Sequence, residues 1–119
     1  MSLGKHKFKK LGKANTSVLN PRFCLVPIEG LYKVANRFAH GEKSYGANNW
    51  KNGNWEFLVE RINHLENHLQ LFKQKGDTLD DNVGAMIWAC FCISWFQINK
   101  PEEYKKAMNF IQYNNVSNL

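Results

Sequence analysis

"WEFLVERINHLENHLQLFKQ", Trp55 to Gln74, decides the fold. Trp55, Leu58, Val59, Ile62, Leu65, Leu69 and Phe72 recur at the 3.6-residue period of a helix and form one continuous apolar stripe. Gly76 stops the pattern. Beside the stripe, Glu60, His64 and His68 fall four apart and line up as one polar ridge, with Arg61 between ridge and stripe. Two histidines at this spacing can grip a transition metal, and a carboxylate one turn earlier can add a third ligand. The same residues serve equally as hydrogen-bonded or solvated groups beside a helix interface.

Working outward, "GDTLDDN" follows Lys75, and Thr78, Asp80 and Asp81 offer caps and first-turn acids for a third helix reaching about Ile98. That helix is apolar nearly all round, which makes it central. Upstream, Pro27 opens a first helix whose Ile28, Leu31, Ala35 and Phe38 share helical spacing, with Glu29 at its positive end. Downstream, Asn99 and Pro101 start a fourth, with Tyr104, Ala107, Met108 and Ile111 on one face. No segment alternates as a strand does. These patterns predict an all-α antiparallel bundle of about four helices with a long structured loop, Gly41 to Gly53, between the first two. Leu58, Ile62, Leu65, Leu69, Ile87, Cys90 and Phe91 are the expected core.

The 119 residues suffice for one domain, read as a basic arm over 1–19, a helical domain over 20–113 and a frayed end over 114–119. The net charge of +6 is concentrated: Lys5, Lys7, Lys9, Lys10 and Lys13 precede the first acid, leaving 11 basic and 10 acidic residues from Ala14 onward. The arm is therefore a candidate for weak phosphate contact with nucleic acid, or simply a solvated terminus. It lacks the apolar run of a signal peptide, and the most apolar stretch, "AMIWACFCISWF" from Ala85 to Phe96, is shorter than the ~20 residues that span a bilayer. A cytoplasmic protein without a membrane segment is expected. Cys24, Cys90 and Cys92 fit neither a disulfide framework nor a CxxC motif and read as buried free thiols.

Asp77, Asp80 and Asp81 gather where the second helix turns into the third, so antiparallel packing would bring them near His68. Carboxylates from two helices can hold a divalent ion, and Mg²⁺, which prefers oxygen and binds phosphates, points to phosphoryl chemistry. Helix capping is the competing role for Asp80 and Asp81. In the loop, Gly41 and Gly46 have the glycine spacing of a P-loop, but Ala47 and Asn48 stand where lysine and serine or threonine are required. Tyr45 and Trp50 can stack on a base or anchor the loop. Lys43 and Lys51 can meet phosphates, and Asn48 or Asn49 can read base edges or take left-handed turns.

The order of these motifs resembles a phage and prophage family, the dATP/dGTP diphosphohydrolase N-terminal domain proteins. The loop pattern is carried by Gly41, Lys43, Tyr45, Gly46, Asn49, Trp50 and Gly53, the histidine helix by His64 and His68, and the acidic turn by Gly76, Asp77 and Asp80 or Asp81, with Trp88 following. Asn82 and Trp95 stand where the family's pattern suggests histidines. The resemblance implies a helical pyrophosphohydrolase of a bacterial or phage-infected cell that converts purine deoxynucleoside triphosphates to monophosphate and pyrophosphate with Mg²⁺ or Mn²⁺, and pairing with a second copy. On that basis His64, His68 and Asp80 are the expected catalytic residues. Lys43, Tyr45, Asn49, Trp50 and Lys51 are the expected substrate contacts, and Asp80, Asp81, His68 and Glu60 the expected metal ligands. The rival reading is a module that binds nucleotide, nucleic acid or a host protein without catalysis. An HD-type phosphohydrolase is set aside, because no adjacent His-Asp pair occurs.

Overall fold

The computed structural model describes residues 20–117; the basic arm over 1–19 lies outside the described residues. A 3-10 turn at Phe23–Leu25 leads into helix α1, Ile28–Tyr45, and a second 3-10 turn at Asn49–Asn52 leads into α2, Trp55–Lys75. Helices α3, Asn82–Asn99, and α4, Pro101–Ser117, complete an all-α fold with no strand among the described residues. No helix among them is long and apolar enough to cross a membrane.

The boundaries follow local chemistry. Asn54 caps α2, its Oδ1 accepting from the amides of Glu56 (3.1 Å) and Phe57 (3.2 Å), and Gly76 ends the helix at φ 63°. Asp81 caps α3 by accepting from the Gly84 amide at 3.0 Å. A Cβ on Gly84 would run into that carboxylate, so the glycine gives the cap its room. Helix α1 runs further than expected: Gly41 to Tyr45 stay helical until Gly46, at φ 91°, breaks the helix, and Asn48 reverses the chain in the left-handed region at φ 59°. The long loop therefore contracts to Gly46–Asn54.

Helix α3 is the centre, packing against α1, α2 and α4, while α4 also packs on α2. Helix α2 runs antiparallel to α3, since His68 meets Asn82 at one end and Phe57 meets Phe96 at the other. Helix α1 runs parallel to α3, Lys33 reaching Asp81 and Phe38 reaching Phe91. At the start of α4, Glu103 Oε2 accepts from the Trp55 amide (3.1 Å) and Lys100 Nζ donates to the Gly53 carbonyl (3.1 Å), which pins the first turns of α2 and α4 together.

Leu58, Phe96 and Ala107 form the buried core, surrounded by Trp55, Ile62, Trp95 and Tyr104. Of the expected core Leu58 is buried, but Leu69, Cys90 and Phe91 are not: Leu69 and Phe91 are 40% and 45% exposed and Cys90 is exposed. The reason is register. His68 already meets the first residue of α3, so α2 continues for about two turns past the point where α3 begins. Cys92 takes the inward place and is buried, which pushes its thiol up to about 12. Cys24 is exposed, so only Cys92 is the buried thiol expected of all three.

The buried side of α1 is also rotated from the apolar spacing. Ile28 and Leu31 are exposed, whereas Gly30, Lys33, Val34, Arg37, Phe38 and Gly41 face inward. Two of these are cations, held there by acids at the start of α3. Leu58→Ala should cost about 2–5 kcal/mol in a urea melt, whereas Cys90→Ala should stay within about 0.5 kcal/mol of wild type.

Candidate functional site

Helices α1 and α2 both lie against α3, and a cavity of about 690 Å³ opens between them. Its size is that of a small-molecule site, roughly 300–1,000 Å³. One wall is the second half of α1, with Arg37, His40 and Tyr45; the other is α2, with Phe57, Arg61, His64 and His68. Ala85, Trp88 and Ala89 of α3 form the floor, where the two alanines leave the space unfilled. The connection from Gly46 to Gly53 borders the end where α1 passes into α2. Glu42 is the lone acid among the lining residues.

Of the polar ridge, His64 and His68 line this cavity and Glu60 does not. His68 Nδ1 lies 2.8 Å from Asn82 Oδ1, while Asn82 Nδ2 donates to the Gly76 carbonyl (2.9 Å) and its amide to Asp77 Oδ1 (2.9 Å). With the amide orientation set by Gly76, His68 must donate through Nδ1, which leaves Nε2 as the acceptor of the neutral ring. Asn82, buried where a histidine was expected, is thus the group that orients His68. His64 has its pKa lowered, first by partial burial and then by the Arg61 charge, so its neutral form is favoured.

Arg61 is held between two rings, 5.2 Å from the Phe57 centroid and 5.4 Å from that of Trp88. No carboxylate pairs with it among the described residues, whose ion pairs are Lys33 with Asp81 and Arg37 with Asp80. Its Nε and the indole Nε1 of Trp88 are buried and lack hydrogen-bond partners among the described residues.

The acids do not join the histidines. Asp80 faces Arg37, with contacts of 3.2 and 3.4 Å, and Asp81 meets Lys33 at 3.2 Å. Both are committed to tying α1 to α3, and Asp81 is the cap of α3 as well. Among the described residues, no three histidine, cysteine, aspartate or glutamate side chains gather as a metal site. Asp80, Asp81, His68 and Glu60 are therefore not brought together as one ligand set among the described residues.

In the connection, Tyr45 and Asn49 line the cavity, Tyr45 being 77% exposed and Asn49 Oδ1 accepting from Asn52. Trp50 also lines the cavity, but it is half-buried against Phe38 (5.9 Å), Trp95 (5.3 Å) and Phe96 (6.4 Å), the geometry of an anchor. Lys51 lies over the rings of Trp50 and Trp95, away from the cavity, because its stem follows the aromatic cluster. Lys43 does not line the cavity either. The cations that do are Arg37 and Arg61. Arg61 was visible between ridge and stripe, but its role was not; Arg37 had no signal beyond its spacing from Val34 and Gly41.

Trp50→Ala should destabilise the fold by about 3 kcal/mol with or without nucleotide, as loss of a packed aromatic does. Hydrogen bonding from Gly84, then the Lys33 charge, holds the Asp81 carboxyl below its ordinary pKa against an opposing burial effect. Its contribution is complete above the unfolded value of 3.8 and is lost as pH falls through the lower folded value. The melting temperatures of wild type and Asp81→Asn should accordingly converge in that acid window, and a constant gap would refute the assignment.

A family model described as dATP/dGTP diphosphohydrolase, N-terminal, matches residues 10–106, which include α1, α2 and α3 and the first turns of α4. No curated protein and no solved structure matches significantly. The match spans most of the chain and every wall of the cavity, and the chain belongs to the dATP/dGTP diphosphohydrolase N-terminal family.

Proposed function

We propose that the chain binds a purine deoxynucleoside triphosphate between α1 and α2 and hydrolyses it to the monophosphate and pyrophosphate. The observation that carries this reading is a nucleotide-sized cavity lined by two arginines, three histidines and a single acid, in a member of this family. Such a lining favours a polyanion. The exposed Tyr45 offers an apolar face for the base at the rim.

Hydrolysis breaks the bridging P–O bond between the α- and β-phosphates, and an oxygen from water joins phosphorus as a proton leaves it. Neutral His64 is the group suited to take that proton, because its depressed pKa keeps a lone pair available near neutral pH. His68, oriented by Asn82, offers Nε2 as a second acceptor on the same wall. In this reading a divalent ion comes with the substrate, as its Mg²⁺ complex.

A second reading, nucleotide binding without turnover, is favoured by one observation: Asp80 and Asp81 are both engaged in ion pairs. Release of pyrophosphate from Mg·dATP and Mg·dGTP separates the two. On the hydrolytic reading, His64→Gln lowers turnover roughly 10²- to 10⁴-fold while dATP still binds. The wild-type rate falls only below the ordinary histidine range, as pH drops through the lowered pKa of His64. Binding of dATP with no pyrophosphate released would select the non-catalytic module.

A further inference from the structure

We propose that Arg61 and Trp88 form a prebuilt anion subsite at the base of the cavity, which takes a phosphoryl group and sets which way round the nucleotide lies. This rests on the nucleotide reading above and deepens it. Three observations converge on these two side chains.

The first is an arginine without a counter-ion. The two ion pairs among the described residues belong to Lys33 and Arg37, and Asp80 already occupies Arg37. Arg61 forms no ion pair with a carboxylate among the described residues, although it lines the cavity. The second is rigidity. Phe57 and Trp88 stack on the guanidinium at 5.2 and 5.4 Å, which removes much of the freedom a long side chain would otherwise lose on binding.

The third is two buried donors with nothing to donate to, Arg61 Nε and Trp88 Nε1. A buried N–H with no acceptor carries the full cost of its lost hydration. Both groups lack acceptor capacity, so the missing partner must bring oxygen lone pairs. An anionic phosphoryl oxygen entering from the cavity supplies these together with the counter-charge that Arg61 lacks, once a small side-chain shift uncovers the two N–H groups.

This subsite lies between α2 and α3, whereas Tyr45 and Asn49 belong to the end of α1 and the connection. Phosphates at Arg61 therefore direct the base toward the connection. His64, one turn along α2 from Arg61, then stands beside the phosphates.

The test is calorimetric titration of the full chain with Mg·dATP, inorganic pyrophosphate and deoxyadenosine, with melting curves to confirm folding. Arg61→Lys keeps the charge but loses the planar fork, Arg61→Gln removes the charge, and Trp88→Phe keeps a ring but removes the indole donor. The arginine variants should weaken dATP and pyrophosphate roughly 10- to 100-fold, the worth of charged hydrogen bonds, and leave deoxyadenosine unchanged. Trp88→Phe should weaken the two anions roughly two- to tenfold, as loss of one neutral hydrogen bond does. Folded Arg61 variants that bind dATP as wild type does would overturn the subsite and leave the nucleotide reading standing. Wild type that binds pyrophosphate through Arg61 but not dATP would support the subsite and remove that reading. Binding of neither anion by wild type would overturn both.

Discussion

The turn into α3 is the constraint on which the arrangement of the other helices rests. Within three residues, Asp80 engages Arg37 of α1, Asp81 caps α3 and engages Lys33 of α1, and Asn82 bonds to His68 of α2 and to the Gly76 carbonyl. The ion pairs are half-exposed and individually worth little. Their consequence is geometric, because they hold two cationic positions of α1 against a helix start that α2 also touches. With α1 and α2 both tied to one end of α3, the cavity above Ala85 and Ala89 stays open.

A second fixed point lies at the opposite end. Trp50 sits among Phe38, Trp95 and Phe96, so the connection is fastened to both α1 and α3 just before α2 begins. Lys51 is drawn over the same rings. The consequence for function is a division of labour among residues close in sequence: Lys51 lies over the anchoring rings and away from the cavity, Tyr45 and Asn49 face the cavity, and Trp50 does both, packing in the aromatic cluster while lining the cavity. Trp95, where a histidine was expected, belongs to the anchoring cluster.

Between these ends the site is built from donors. Arg61 and Trp88 carry buried groups without acceptors among the described residues, His68 is oriented by Asn82, and the pKa of His64 is lowered by partial burial and by Arg61. A cavity so lined is matched to an anion, and its histidines are matched to accepting a proton once that anion is in place. The carboxylates that would hold a metal are occupied in joining helices.

By itself the sequence determined the helices, most of their ends and the family. Apolar spacing over Trp55 to Leu65, the Gly76 boundary, and the α4 face of Tyr104, Ala107, Met108 and Ile111 are local properties, written in residue order. It also marked His64 and His68 as neighbours on one ridge, because a fixed helical period suffices for that. Partners between helices were another matter. That α1 turns Lys33 and Arg37 inward and leaves Ile28 and Leu31 outside depends on acids more than forty residues away. That Asp80 and Asp81 serve ion pairs and a cap, that Lys51 leaves the cavity, and that the buried Nε of Arg61 has no acceptor among the described residues follow from how α1 and α2 sit on α3. Only the tertiary structure decided these, because a side chain's partner is set by which helix lies across from it, and helical periodicity carries no information about that neighbour.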